Sequence, residues 1–162
     1  MVDLRGTAPR SSLSLIGFNV TIIFIQPLYP FVKKKKLNTS NFMIKHKHLI
    51  VRAECSNPPR YEQNIIDWSS SLIRDIGMKI MMGPYAKYCH MEGNRGLTCA
   101  TIIETSHVVV HVWDEGSPGL VQLDVYTCGE LDKQIIFDAL EKWDPVKIDY
   151  KYLDREKGFI EL

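Results

Sequence analysis

The chain has 162 residues, 45% hydrophobic and 24% charged, with 20 Lys and Arg against 19 Asp and Glu. That length supports one domain with its own core, and a formal net charge of +1 excludes the strongly basic surface of a general nucleic-acid or acidic-lipid binder. The four cysteines, Cys55, Cys89, Cys99 and Cys128, form no C-x-x-C pair, so zinc and thioredoxin-type chemistry have no support and no metal site is expected; free thiols in a reducing, cytoplasmic setting are the simplest reading.

Residues 13–31 are apolar and rich in β-branched side chains, and Lys33, Lys34, Lys35 and Lys36 follow. Length and basic flank together read as a weak membrane anchor. Ser14, Asn19, Thr21 and Gln26 interrupt it, and Pro27 and Pro30 shorten any helix, so membrane attachment is not the expectation. The other reading takes Met43 as the start and residues 1–42 as an extension that is poorly ordered or not translated. Composition changes abruptly at Asn38-Thr39-Ser40, and the compact domain is assigned to residues 43–162.

Residues 44–54 alternate in strand fashion, with Leu49, Val51 and Ala53 on one face. Ser56-Asn57-Pro58-Pro59 breaks that strand and prepares a helix over 61–76, with Ile65, Ile66, Leu72, Ile73 and Ile76, together with Trp68, largely on one side. Gly77 suits the position just past its end. A short strand is predicted at 78–82, then strand plus loop to Asn94. Further strands follow at 97–104, 107–113 and 120–126, with Asp114 to Gly119 supplying turn chemistry. A second amphipathic helix is predicted over 130–143, with Glu130 and Asp132 in its first turn and Ile135, Ile136, Leu140 and Trp143 inward. Pro145 ends it, and 146–153 closes as a last strand. This order predicts an α/β (α+β) two-layer sandwich, a mainly antiparallel sheet with helices packed on one face.

Period-2 counting puts His107, Val109, His111 and Trp113 on one face of the 107–113 strand and Val108, Val110 and Val112 on the other. The valine face is core, so the histidine face is the candidate working face. Ser106 opens this strand, Asp124 and Tyr126 belong to the neighbouring one, and Cys128 lies just past its end. Singly, each has an ordinary structural explanation: a turn serine, a hydrogen-bonded histidine, a small buried cysteine, solvated carboxylates at Asp114 and Glu115. No G-x-S-x-G elbow surrounds Ser106, which removes the usual support for a serine hydrolase.

The joint pattern is more specific than its parts. Gly96-Leu97-Thr98, then Thr105-Ser106-His107 with His111, Trp113 and Glu115, then Asp124-Val125-Tyr126-Thr127-Cys128-Gly129 resembles the prokaryotic S-adenosylmethionine decarboxylases, small self-cleaving pyruvoyl enzymes of spermidine and polyamine synthesis. The resemblance implies that Ser106 attacks the Thr105 carbonyl, that β-elimination cuts the chain, and that a pyruvoyl group, the covalent cofactor, forms at position 106. That group would join the substrate amine as a Schiff base and accept the electrons freed by loss of CO₂. By position, His111 matches a histidine of processing and Thr98 a hydroxyl that assists it. Cys128 matches the donor of the product proton, and Glu115 the acid that holds the ribose hydroxyls. A homodimer of processed chains, with the partner contributing to the site, is also implied.

Three departures stand out. The family cleaves between Glu and Ser, whereas this chain has Thr105-Ser106 with Glu104 one place earlier. The turn at Trp113-Asp114-Glu115 is one residue longer. His90-Met91 stand where an adenine-stacking aromatic is usual, with Tyr85 or Tyr88 as substitutes. The alternatives are the same chemistry on arginine or ornithine, and an unprocessed, non-catalytic homologue that binds a metabolite or partners an active subunit.

Overall fold

Strand alternation and two amphipathic helices account for the architecture. The computed structural model describes residues 45–162; the reading of residues 1–42 lies outside the described residues. Strand β1 (Lys47–Cys55) buries Leu49, Val51, Ala53 and Cys55 and turns Ile50 and Arg52 outward. Strands β2 (Ile80–Cys89), β3 (Gly96–Ile103), β4 (Ser106–Trp113), β5 (Gly119–Thr127), β6 (Pro145–Asp154) and β7 (Ile160–Glu161) complete one sheet in the order β2-β3-β4-β5-β1-β6-β7. Every pairing is antiparallel. Helices α1 (Glu62–Asp75) and α2 (Lys133–Leu140) close over one face, giving the expected sandwich.

The core lies between the helices and the period-2 apolar rows. Ile65, Leu72 and Ile73 of α1 and Ile136 and Leu140 of α2 meet Val108, Val110, Leu123 and Val125, all essentially inaccessible. Each such side chain stabilises the fold by about 1.5–3 kcal/mol relative to exposure. Trp68 seals the seam between the helices: its indole N–H donates to the Ala139 carbonyl at 2.9 Å, and its ring lies 4.2 Å from that of Trp143. Burial pushes the Cys55 thiol up to about 11 and also raises Cys99, which marks both as core thiols. No described helix is long and apolar enough to cross a membrane.

Gly77 ends α1 at φ 73°, and the Met78 N–H returns to the Ile73 carbonyl at 3.0 Å, as a left-handed C-terminal cap requires. Two boundaries differ from the expectation. Strand β2 runs on to Cys89, with its ladder to β3 irregular around Gly83. Helix α2 begins at Lys133 rather than at residue 130, because the Asp132 carboxylate caps the Gln134 N–H at 2.9 Å. Glu130 precedes the helix and pairs instead with Lys45. A short 3₁₀ turn, Glu141–Trp143, carries Trp143 into the core before Pro145 opens β6.

Candidate active site

The β3–β4 hairpin carries most of the singled-out residues, and its register spreads them along its length. Ile103 pairs with Ser106, so Glu104 and Thr105 form a two-residue turn. Thr105 sits at φ 58°, a left-handed conformation that a β-branched side chain adopts at a cost of about 1–2 kcal/mol. Its hydroxyl donates to the Glu104 carbonyl at 2.7 Å. Next to it, the Ser106 hydroxyl is buried and has no hydrogen-bond partner. Such a group costs about 1–3 kcal/mol.

Cys128 reaches this turn from the end of β5. The Thr127 hydroxyl donates to the Gly129 carbonyl at 3.1 Å and folds the chain back. That turn presents the Cys128 thiol to the Thr105 carbonyl oxygen at 3.0 Å. The carbonyl between Thr105 and Ser106 is therefore polarised by a thiol donor, with a free hydroxyl on the residue that follows.

Thr98 and His111 meet farther along, on the sheet face that neither α1 nor α2 covers. Gly96 makes this possible: it has φ 152°, and a Cβ there would lie 1.7 Å from the Val112 carbonyl oxygen. The resulting close approach of β3 to β4 sets Thr98 opposite His111, with Thr98 Oγ1 3.0 Å from His111 Nδ1. Five residues of strand, about 17 Å, separate His111 from Ser106. Ser106 also shares the parity of Val108, Val110 and Val112, the helix-covered face, whereas His111 is on the open one. One chain thus does not bring Ser106 and His111 together.

Between them the open face holds an Asp124-centred network. Asp124 Oδ1 accepts from His107 Nε2 at 2.9 Å and from His48 Nε2 at 3.0 Å. Arg155 Nη1 lies 3.3 Å from the other ring nitrogen of His48, Nδ1. The same guanidinium stacks on the Tyr126 ring at 4.4 Å. A groove of about 460 Å³ runs beside this network, lined by Ile50, Arg52, His111, Gln122 and Lys151 among others.

The far end of the hairpin is held by several side-chain bonds. The Trp113 indole donates to Asn94 at 2.7 Å, the Tyr88 hydroxyl to both Asp114 oxygens at 2.9 and 3.2 Å, and the Gly93 N–H to Glu115 at 3.2 Å. Arg95 Nε lies 3.5 Å from Glu115. Burial pushes the Tyr88 phenol up, and its bond to Asp114 adds to the rise, so it remains a donor. Asp114 and Glu115 are thus tied side chains rather than merely solvated ones. Tyr88, His90, Arg95, Asp114 and Glu115 line a cavity of about 520 Å³ there. Tyr88 and His90 rings are 4.7 Å apart, and Tyr88, with Tyr61 but without Tyr85, lines this cavity.

Sequence reasoning missed His46 and Arg155. His46 Nδ1 lies 2.7 Å from the Tyr126 hydroxyl and 3.8 Å from Cys128 Sγ. The signal is in the pairing: Lys47 stands opposite Thr127, and one step further along the same register sets His46 opposite Cys128.

Residues 47–156 match the S-adenosylmethionine decarboxylase family. The chain belongs to that family. The S-adenosylmethionine decarboxylase proenzyme of Pyrobaculum arsenaticum is 42% identical over 64 residues, which is 38% of this chain and 50% of that protein. The proenzyme of Archaeoglobus fulgidus is 42% identical over 87 residues, 52% of this chain and 76% of that protein. The chain spans half the length of the Pyrobaculum protein that it matches. In three dimensions it is similar to the adenosylmethionine decarboxylase of Aquifex aeolicus, with a TM-score of 0.55 and 20% identity over 73% of this chain and 94% of that one. At that identity the likeness is one of fold.

Proposed function

We propose that this chain is a self-processing, pyruvoyl-dependent decarboxylase of S-adenosylmethionine in polyamine synthesis. The observation that carries the reading is the turn itself: a left-handed Thr105, a thiol donor 3.0 Å from its carbonyl oxygen, and a buried, unpaired Ser106 hydroxyl next in the chain. Attack of Ser106 Oγ on the Thr105 carbonyl carbon puts negative charge on the oxygen that Cys128 already contacts. Collapse toward the ester breaks the Thr105–Ser106 C–N bond and frees the amine of residue 106. Elimination across Cα–Cβ of residue 106 then releases Thr105 as a carboxylate, and water replaces the amine nitrogen as ammonia.

The orphaned hydroxyl and the single thiol beside it fit a pyruvoyl group at position 106. That group supplies an electron sink for loss of CO₂ from a bound amino acid. Cys128 is the residue set to return a proton to the substrate carbon. Thr98, His111 and Glu115 are assigned to the same site in a homodimer, contributed by the partner, because one chain holds them apart from Ser106. Glu115, at the far cavity with Tyr88, is the carboxylate available to ribose hydroxyls.

Intact-mass spectrometry tests the reading. A fragment ending at Thr105 and a fragment spanning residues 106–162 with a pyruvoyl N-terminus are expected. A chain that stays whole on prolonged incubation overturns it in favour of a non-catalytic homologue. Release of labelled CO₂ from S-adenosylmethionine, but not from arginine or ornithine, fixes the substrate.

A further inference from the structure

Cys128 has a second neighbour besides the Thr105 carbonyl. His46 Nδ1 lies 3.8 Å from its sulfur, within reach of a sulfur hydrogen bond, and among the described residues no other ring nitrogen contacts that thiol. His46 is also a held residue. Its carbonyl accepts from the Arg155 N–H at 2.8 Å, and its ring lies 6.0 Å from that of Tyr126 in a stacked arrangement. Its Nδ1 is 2.7 Å from the Tyr126 hydroxyl. Tyr126 is in turn braced by the Arg155 guanidinium over its face. Of the charged groups beside them along the chain, Lys45 pairs with Glu130 and Lys47 with Asp154, which leaves the thiol and imidazole facing one another.

We propose that His46 is the residue that carries the proton of Cys128. The inference rests on the decarboxylase reading for its place in turnover. In the uncut chain the thiol is occupied by the Thr105 carbonyl. Once Thr105 becomes a chain end, that carbonyl is no longer fixed by the turn, and His46 is the remaining fixed partner. Loss of CO₂ leaves an electron pair on the substrate carbon, and product formation takes up one proton. Cys128 S–H gives that proton and becomes a thiolate. Protonated His46 gives Nδ1–H to the sulfur and becomes neutral, and solvent reprotonates the imidazole before the next cycle. Tyr126 keeps the ring aimed: in the charged ring the one Nδ1–H is shared between the Tyr126 oxygen at 2.7 Å and the Cys128 sulfur at 3.8 Å, and in the neutral ring the Tyr126 hydroxyl donates to Nδ1. His46 acts through Cys128 and is a positioning residue.

The test is His46→Gln, which keeps a group able to bond Tyr126 but carries no exchangeable charge, with Tyr126→Phe as a second variant. In the full chain, iodoacetamide alkylation of Cys128 is followed by peptide mass spectrometry. Cys89, at the opposite end of the sheet, is the internal control. His46→Gln is expected to slow Cys128 alkylation at neutral pH about tenfold, as loss of an imidazolium that favours the thiolate requires, while Cys89 reacts unchanged. Tyr126→Phe should fall between. In the cut enzyme kcat should drop about a hundredfold with KM unchanged, and added imidazole should restore part of it. Wild-type alkylation of Cys128 in His46→Gln overturns the inference whatever the activity. A wild-type chain that releases no CO₂, yet loses Cys128 reactivity on His46→Gln, establishes the pair and defeats the decarboxylase reading alone.

Discussion

The two ends of the β3–β4 hairpin follow opposite rules. At the far end the polar groups pair with one another: Trp113 with Asn94, Tyr88 with Asp114, Gly93 and Arg95 with Glu115. At the turn end the Ser106 hydroxyl is buried without a partner, beside a β-branched residue in a left-handed conformation. The far end lowers its energy by closing its bonds. The turn end holds unsatisfied groups and backbone strain on consecutive residues, which is where a fold concentrates reactivity at the expense of stability.

Ser106→Ala tests the contrast most severely. It should abolish chain cleavage and CO₂ release completely while leaving the fold at least as stable, since it removes an unpaired hydroxyl; intact mass and thermal melts check both. Co-expressing Ser106→Ala with His111→Ala comes next. If the two ends belong to sites shared between copies, mixed dimers regain one site each, and activity returns to about a quarter of wild type in a two-fold symmetric assembly. Failure to recover would place both residues in one chain's site.

At the far end, Tyr88→Phe should cost about 1–2 kcal/mol in urea unfolding, because Asp114 loses its donor, with cleavage unaffected. At the turn, Thr105→Gly should stabilise by about 1 kcal/mol and slow the cut, read as a mass-spectrometric time course. The smallest effect is expected from Asp154→Asn. The Lys47 ammonium at 2.7 Å, then the Glu156 N–H, hold the Asp154 carboxyl below its usual range. Its contribution is therefore complete at neutral pH and fades as pH falls through that lowered value. The Asp154 bond raises Lys47, whose share fades only as pH rises through the raised ammonium value. Asp154→Asn should flatten the acid limb of melting temperature against pH and leave cleavage intact.

The sheet was readable because burial follows parity. Leu49, Val51 and Ala53, and Val108, Val110 and Val112, alternate without exception, so the core faces of β1 and β4 were legible from sequence. The proposed site residues Thr98, Ser106, His111 and Cys128 stand out in the sequence only as a joint pattern. Their division into two places was half-legible, since residues 106 and 111 differ in parity, but strand length decides it. The φ of Thr105 was not legible, because threonine does not advertise a left-handed turn as glycine or asparagine would. Nor was His46, whose nearness to Cys128 exists only once β1 is known to insert beside β5. The start of α2 was misread because Asp132 is a cap rather than a first-turn residue.

The strand order carries one more consequence. A cut after Thr105 assigns β1, β2 and β3 to one fragment and β4 to β7 to the other. The order β2-β3-β4-β5-β1-β6-β7 then interleaves them, with β1 wedged between two strands of the opposite fragment. Three ladders, β3 with β4 and β1 with both β5 and β6, hold across the break. The severed chain is thus a woven heterodimer: its halves can part only by unravelling the sheet, so scission can complete a site without releasing either piece.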